Sequence, residues 1–527
     1  MLRGWCRAFR DPIFRFSHVI LYSPFVTLFG RLCLRPVTNE VVSVSALTGA
    51  SESTETAASP DSTRPLPVSL WRDIRDAVRG AEHDYTEGAI GRAIFLLAVP
   101  MVLEMSMESI FAVVDAYYVG RLGPAAVATI GLTESLMVVI YTVAMGLSIG
   151  VTATVSRRIG EKDTDGAARA AIQGLLLGLF LSLVLGVTGA IFTPELLAVM
   201  GADADVLRLG SGFTRISLGT SSAVFLLFLI NAAFRGAGDA AVAMRVLMLG
   251  NAINIVLAPC LIFGVGPFPQ LGLEGAAVAT VTGRGVGFLW ALWHLHGGGG
   301  NLRVHRRHVR VEPDTMMHIA TLSGWGTVQV ALSSMSWIAL VRLIATFGAT
   351  AVAGYTIAIR VLLFALMPAY GVGAAAATMV GQALGAGKPD RAEQAVWAAA
   401  RINMLVLGLT GVLFWFTAPT LVGWFSDVAA VREVGVNGLR TMSLGFPLYA
   451  LGMVLEQSFN GAGDTRTPSW MNFVVFWLLQ LPLAWYMSQR TSLQWRGVFV
   501  AVVGAYTALA LISAVFFRRG AWKHRTV

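Results

Sequence analysis

Three carboxylates lie within one apolar stretch of the chain, residues 93–119. Glu104, Glu108 and Asp115 stand at positions i, i+4 and i+11, and at about 100° per residue these positions share one face of a helix. An ionised acid in hydrocarbon costs at least about 2.5 kcal/mol, so such a face must look into a protein cavity or a proton pathway. The stripe predicts a site for protons or cations. The alternative is that one or more of these acids, Glu104 in particular, is neutral and bound to a neighbouring helix.

The stretch that carries the acids is long enough for a membrane-spanning helix, which needs about twenty apolar residues. Pro100 lies in its first half, removes one backbone hydrogen bond and predicts a hinge there. The whole chain of 527 residues has 55% hydrophobic and 13% charged residues, against about 25% charged residues in an average soluble domain. This composition is typical of an all-α polytopic membrane protein, and the succession of apolar segments predicts about twelve transmembrane helices.

Lysine and arginine residues are concentrated in the even-numbered loops between the predicted spans and in the C-terminal tail. Because cytoplasmic loops carry the excess of these residues, we expect both termini to be cytoplasmic. The same rule accounts for the net charge of +9 without a nucleic-acid partner. The three cysteines have no paired or metal-ligand spacing, so we expect neither a disulfide framework nor a metal site.

The chain contains an internal repeat with one constant offset. Three glycines and one GAGD segment recur at a distance of 225 residues: Gly123 with Gly348, Gly146 with Gly371, Gly160 with Gly385, and residues 236–239 with residues 461–464. A single offset shared by four landmarks indicates two homologous halves. With six spans each, both halves insert with the same orientation, which predicts two pseudo-symmetric six-helix bundles related by an axis along the membrane normal.

The predicted organisation of the chain follows from these segments. Residues 1–68 differ from the rest, because their polar run predicts a disordered N-terminal extension; a signal peptide is disfavoured because its apolar part is interrupted. The other assignments are residues 69–92 to an amphipathic surface helix and lead-in, 93–296 to the first half, 297–314 to a cytoplasmic linker loop, 315–519 to the second half and 520–527 to a basic tail.

Two parallel bundles with a buried acid stripe favour a secondary transporter, whose halves move around a site near the membrane midplane. An ATP-driven pump would need a phosphate loop, but the nearest approach, around Lys388, has Gln382 in place of the first glycine and Pro389 in place of the Ser/Thr. No catalytic motif lies within a predicted span, so we expect no enzyme activity, no catalytic residue and no cofactor beyond a coupling ion. A channel and a membrane enzyme are the weaker alternatives.

The chain resembles the multidrug and toxic compound extrusion family, called MATE, over residues 83–517. The resemblance rests on P-x14-D followed by V-G-x-L-G in the first span, SRRIGEKD after the second, NAAFRGAGD after the fourth and GAGDTRTP at 461–468. It implies a MATE-like fold and a secondary active antiporter that exports organic cations or drug-like metabolites in exchange for protons by alternating access. It also implies a multi-pass monomer in the plasma (inner) membrane of a prokaryote, with membrane lipid and a small organic cation as partners.

For the ion site, the resemblance implies one aspartate and its neighbours as the proton-coupling residues. Asp115 matches the coupling aspartate of the family's first helix, Asn254 an asparagine of the ion site in the first half, and Thr280 a threonine lining the same cavity. Where many members carry a second aspartate, this chain has Ala258. Either Asp115 carries the coupling alone or another acid substitutes. The candidates for that substitute are Glu108 and Glu134.

The predicted substrate cavity combines acids, methionines, aromatic rings and one arginine. Methionine suits promiscuous sites and aromatic rings stack on flat cations, although both more often serve packing. An arginine within a span is expected to face an acid or the cavity. The residues assigned to this cavity are Glu104, Met101, Met105, Glu134, Gln329, Trp337, Tyr355 and Arg360.

Two alternatives remain open at this point. The sodium-coupled branch of the family uses acids in its seventh and tenth helices, where this chain offers Gln329 and Glu456; this difference favours protons over sodium. The runner-up function is a lipid or lipid-linked saccharide flippase of the same superfamily. Arg342 and Arg360 argue for a cationic cavity of that kind, and the three acids of the first span argue against it.

Overall fold

The computed structural model of the chain describes residues 70–80, 83–297 and 300–525, and every regular element within them is a helix. The disorder predicted for residues 1–68 lies outside the described residues. Helix α1 spans Leu70–Arg79. The helices of the first half are α2 (Ile90–Gly120), α3 (Pro124–Gly160), α4 (Thr164–Ile191), α5 (Thr193–Val199), α6 (Ala204–Gly219), α7 (Ser221–Ala237), α8 (Ala240–Phe263) and α9 (Leu273–Gly297).

A linker with a short 3₁₀ turn, Arg306–His308, leads to the second half. The helices there are α10 (Pro313–Ala345), α11 (Ala349–Gly385), α12 (Pro389–Gly423), α13 (Ala429–Leu444), α14 (Phe446–Gly461), α15 (Arg466–Asn472), α16 (Leu481–Gln489) and α17 (Trp495–Arg518). A π-helical segment, Phe473–Gln480, joins α15 to α16. A second 3₁₀ turn, Ala521–His524, follows α17.

Eleven helical stretches within the described ranges are long and apolar enough to cross a membrane, against the twelve expected from the sequence. The difference lies in α13 and α14, which are separated at Gly445 and contain 16 residues each. At 1.5 Å per residue neither reaches the roughly 30 Å of a bilayer core. Their counterparts in the first half, α6 and α7, together form one of the eleven. If α13 and α14 are joined in the same way, they supply the twelfth span.

The helix boundaries repeat with the offset found in the sequence. Helices α3 and α11 both contain 37 residues, and they begin at 124 and 349 and end at 160 and 385. The interrupted pairs also match, since α6 and α13 begin at 204 and 429, and α7 and α14 at 221 and 446. Each of these differences is 225. The break within a span therefore belongs to the repeated unit. The fold is an all-α polytopic membrane fold.

The two halves contact each other at one end of the molecule. A Cβ on Gly160 of α3 would lie 2.1 Å from the Gln382 carbonyl oxygen of α11, and one on Gly385 would lie 2.2 Å from the Arg157 carbonyl oxygen. Backbone therefore packs directly on backbone here. At the opposite ends of the same helices, Gly123 and Gly348 have no atom within 4 Å of such a Cβ. We call the first region the closed end, and we call the space between the halves beside the opposite ends of α3 and α11 the cleft.

Helix α1 packs beside the start of α2. The Arg92 Nε of α2 donates to the Asp73 Oδ1 of α1 at 3.1 Å, and Trp71 on the same short helix is 72% exposed. An exposed tryptophan on a short charged helix is the arrangement found where a helix lies in the membrane interface.

Candidate ion and substrate site

Two of the three acids on α2 form ion pairs with arginines of neighbouring helices. Glu104 is 2% exposed, and its Oε1 lies 2.6 Å from Nη1 of Arg235 on α7. One turn further along, the Glu108 Oε1 lies 2.5 Å from Nη2 of Arg284 on α9. Each acid thus has a directly bonded cation, whose attraction offsets part of the cost of burying its charge. These two carboxylates are neutralised by pairs within the first half.

Asp115, the third acid of the stripe, is half-buried and forms no ion pair with any described residue. Its Oδ1 is buried without a hydrogen-bond partner. The charges of Glu134 on α3 and of Arg284 act on it from a distance. After the pairing of Glu104 and Glu108, the stripe keeps one uncompensated carboxylate, and that carboxylate is Asp115.

Helix α8 completes the surroundings of this acid. Asn254 is 3% exposed, and its Nδ2 donates to the Thr280 Oγ1 at 2.9 Å. Asn251 faces Glu108, with 3.4 Å from its Nδ2 to Glu108 Oε2. Since α2 and α8 cross in the same direction, the residues seven positions later, Asp115 and Ala258, lie at the same depth. Ala258, which is fully buried beside Val119, offers no carboxylate at this depth.

Arg284 is the central cation of this region. Its side chain is 6% exposed, and its guanidinium carbon lies 5.1 Å from the ring centroid of Phe111. Its Nη1 is buried without a hydrogen-bond partner. One nitrogen is thus bonded to Glu108 and another stays unused in the interior, close enough for its charge to act on Asp115.

Glu134 and Arg360 carry opposite charges on the two helices that diverge from the closed end. Glu134 lies on α3 and Arg360 on α11, both side chains are exposed, and the charge of Arg360 acts on Glu134. They form no ion pair within 4.0 Å in the described part of the chain. The two charges belong to different halves and interact across the cleft.

The second half contains another acid in a polar cluster, the half-buried Glu456 on α14. Its Oε1 accepts hydrogen bonds from the Gln329 Nε2 and from the Asn472 Nδ2, both at 2.8 Å. Tyr449 and Tyr506 pack against each other beside it, with ring centroids 4.1 Å apart. No cation is paired with Glu456 among the described residues. Gln329 therefore acts as a donor to this acid, in a polar cluster separate from Asp115.

Two segments of the chain, residues 100–260 and 327–486, match the model of the family described as MatE. Together they cover more than half of the sequence, one segment in each structural half. The chain belongs to the MatE family. Its members are transporters and not enzymes, and this chain is accordingly a multi-pass membrane transporter.

Relatives of this MatE protein match it over most of their length. The probable multidrug resistance protein YoeA of Bacillus subtilis is 25% identical over 443 residues, which are 83% of this chain and 96% of YoeA. The FAD transporter of Shewanella oneidensis is 25% identical over 408 residues, 76% of this chain and 89% of that protein. A structure described as the outward-facing conformation of a multidrug resistance MATE family transporter superposes with a TM-score of 0.78 at 25% identity, covering 84% of this chain and 98% of the other.

Two residues assigned to the cavity, Met101 and Tyr355, are packed inside the MatE fold, which corrects their sequence-based assignment. Met101 is fully buried in the core where α2 meets α11. Tyr355 is 2% exposed and stacks on Phe499, with centroids 5.8 Å apart. Trp337 is half-buried and tilted against Tyr506 at 6.3 Å. Met105 is half-buried on α2. Pro100 is buried within α2, which continues through it from Ile90 to Gly120.

Sequence reasoning missed Arg235 and Arg284, the two cations that pair with the acid stripe. The rule that an arginine within a span must face an acid was applied to Arg342 and Arg360 only. Applied to every span it would have found Arg284, which lies within the sixth apolar segment. Arg235 lies in the family motif NAAFRGAGD, next to the polar turn. An arginine in that position is normally interpreted as a cytoplasmic charge and not as the partner of a buried acid.

Proposed function

We propose that this MatE protein is a secondary antiporter that exports organic cations in exchange for protons by alternating access. The observation that carries the proposal is the isolation of Asp115, the one carboxylate of its stripe without a paired cation. A proton needs a single acceptor oxygen. A sodium ion needs several oxygen ligands, and Ala258 removes the carboxylate that would supply them at this depth. These features support proton coupling over sodium coupling.

In the proposed cycle, proton and substrate compete for the charge of Asp115. Protonation removes the negative charge, so a bound cation loses its partner and leaves; deprotonation restores it for the next cation. Exchange requires that each ligand bind the two conformations with different affinity. Arg284, paired with Glu108, positions this event, because its charge acts on Asp115.

The direction of transport is supported by the position of the cationic turns. The closed end is bordered by the last helical turn of α3, with Arg157 and Arg158, and by the turns after α3 and α11, with Lys162 and Lys388. If these turns are cytoplasmic, as the positive-inside rule requires, the cleft opens to the outside and both termini lie in the cytoplasm. This orientation fits an exporter in a plasma (inner) membrane in its substrate-releasing conformation.

The test is uptake of a fluorescent organic cation into everted vesicles under an imposed proton gradient and then a sodium gradient. Asp115→Asn should abolish proton-driven transport. The matched control is Asp205→Asn, which changes an acid that is 78% exposed on α6 and should leave transport intact. Equal proton-driven uptake with wild type and with Asp115→Asn would refute the assigned role of Asp115, and transport driven only by sodium would refute the proposed coupling ion.

A second candidate substrate is a pyrophosphate-bearing molecule, such as a flavin dinucleotide or a lipid-linked saccharide. Arg360 favours it, because this exposed cation on the second half has no ion pair in the described ranges, and one relative is named an FAD transporter. Phosphate groups are held by arginine side chains. Uptake of FAD into the same vesicles, lost in Arg360→Met while transport of organic cations persists, would favour this candidate.

A further inference from the structure

A cavity of about 700 Å³ lies at the closed end, away from the cleft and from Asp115. Four segments contribute residues to its lining: 83–86 before α2; 159, 160, 162, 164 and 165 around the turn after α3; 300, 301, 303, 305 and 307 of the linker; and Gln382 of α11. The first three belong to the first half and the linker, whereas Gln382 belongs to the second half. Since Gly160 and Gln382 both line the cavity and touch each other, its wall includes the contact that keeps this end closed.

The charges of this cavity are unequally paired. Arg307 donates to both carboxylate oxygens of Asp165 at 2.9 and 3.0 Å, so these two charges neutralise each other. Asp84 accepts from the Thr86 hydroxyl at 2.6 Å and from the Thr86 backbone N–H at 2.8 Å. The hydroxyl bond in particular holds the pKa of Asp84 below its usual value. The acids of the cavity are thus already engaged.

Two cations and one imidazole are left in the same cavity. Arg303 is exposed and has no hydrogen bond or ion pair with a described residue. Lys162 is exposed and interacts with Asp84 only at a distance. Desolvation and the charge of Arg92 lower the pKa of His83 below 6.5, so its ring is neutral at physiological pH. Its Nε2 is buried without a partner.

Lys162 has a left-handed backbone conformation, and the corresponding residue of the second half is a glycine. Its φ is +62°, in the left-handed region. The residue 225 positions later is Gly387, with a φ of +69° and the same backbone bond to the residue three positions before it. A side chain in this conformation is strained by its Cβ, and glycine avoids that strain. Because strained residues concentrate at functional sites, the lysine at this turn points to a role of its own.

We infer that this cavity binds a phosphate-bearing anion, with Lys162 and Arg303 as its charged contacts. Lysine and arginine are the side chains that proteins use to bind phosphate. An anion held here stabilises the closed end, because the cavity exists only while Gly160 and Gln382 remain together. The site therefore regulates the transport cycle. This regulatory role rests on the alternating access of the proposed function. The anion is either a soluble phosphate compound or the headgroup of an anionic lipid.

Binding is tested on the full-length protein in nanodiscs, without any transport measurement. In one arm, inorganic pyrophosphate is titrated onto protein in phosphatidylcholine nanodiscs, and the thermal unfolding midpoint is followed. In the other arm, phosphatidylglycerol replaces part of the lipid and no pyrophosphate is added. The variants are Lys162→Gly and Arg303→Ala. The control is Arg306→Ala, an exposed arginine of the same linker that lies outside the cavity lining.

We expect a saturable rise of the midpoint in at least one arm, and the arm that shows it identifies the source of the phosphate group. Each variant should weaken the apparent affinity at least tenfold, and Arg306→Ala should not. Lys162→Gly removes a strained conformation, so its unliganded midpoint should stay equal or rise, which excludes misfolding as the cause of lost binding. No saturable effect in either arm, or equal affinity in all variants, would overturn the inference. Because no transport is measured, failure of the proposed antiport would not affect this result.

Discussion

The pair of Glu108 and Arg284 differs from surface ion pairs in what happens when one partner is removed. The Arg284 side chain is 6% exposed, so its loss leaves the carboxylate of Glu108 without a cation in a poorly solvated region. Breaking a buried pair from one side typically destabilises a protein by about 3–5 kcal/mol. We therefore expect Arg284→Met to lower the thermal unfolding midpoint of the purified protein substantially.

The double variant Arg284→Met/Glu108→Gln distinguishes charge from packing. If the uncompensated carboxylate is the cause, neutralising Glu108 should restore most of the lost stability. Arg208→Met serves as the control, since Arg208 and Asp205 are both 78% exposed and such pairs contribute about 0–1 kcal/mol. A double variant as unstable as Arg284→Met alone would show that the arginine acts through its packing on Phe111 instead.

The residues of the candidate site could be predicted only in part. Helical spacing placed Glu104, Glu108 and Asp115 on one face, because that depends on local geometry alone. Spacing does not say which partner an acid meets on another helix, so the arginines of α7 and α9 were missed. Spacing also does not distinguish a helix face that lines the cleft from one that packs inside a bundle. Tyr355 was therefore assigned to the cavity, although it packs on Phe499.

At the scale of elements, α3 and α11 meet through glycines at the closed end. A Cβ at Gly160 would approach the Gln382 carbonyl oxygen to 2.1 Å, and real Cβ atoms essentially never come within 3.0 Å of a neighbour. Since the obstructing atom is backbone, the helices themselves must separate. We expect Gly160→Ala to shift the protein toward conformations in which this end is open, measured as a longer distance between spin labels at Glu161 and Asp390.

The matched control for this substitution lies on the same helix. Gly131 of α3 has no atom within 4 Å of an added Cβ, so Gly131→Ala should leave the spin-label distance unchanged. Both substitutions change helix propensity equally, by about 1 kcal/mol in favour of alanine. An unchanged distance in Gly160→Ala would mean that the contact yields by local adjustment and does not hold the end closed.

The elements themselves were largely predictable, with one instructive exception. Long apolar runs and the 225-residue repeat predicted the spans and the two halves, because both signals reside in the sequence pattern. The break that separates α13 from α14 at Gly445 was not predicted. A glycine within an apolar run is common in membrane helices, so its presence does not mark a break, and packing against α17 decides where the helix turns.

At the scale of the whole molecule, the C-terminal segment joins the two halves. Trp522 is 1% exposed and stacks on Phe517 of α17 at 4.6 Å. Beyond it, Arg525 pairs with Asp464 of the second half at 3.4 Å, and its carbonyl oxygen accepts a hydrogen bond from Arg157 of the first half. Trp522→Ala should release this segment and favour opening of the closed end, seen with the same spin labels. Trp424→Ala, which changes an indole that is 75% exposed, should have no such effect.

The opposite movement, closure of the cleft, brings Glu134 and Arg360 together. They lie ten and eleven residues from the starts of α3 and α11, and these helices are related by the repeat, so both charges lie at the same depth. Their exposed side chains already interact across the cleft without an ion pair. When the helices approach, this pair is positioned to form and to stabilise the state in which the cleft is closed.

A charge exchange tests whether this contact forms during transport. Glu134→Arg and Arg360→Glu each place like charges opposite one another at closure, so each should slow the initial rate of uptake into everted vesicles several-fold. The double variant restores opposite charges in reversed order and should recover most of the wild-type rate. Arg342→Glu, a change of another exposed arginine of the second half, should not be rescued by Glu134→Arg. If the double variant is as slow as the product of the single effects predicts, the two charges act independently, and closure of the cleft depends on other contacts between α3 and α11.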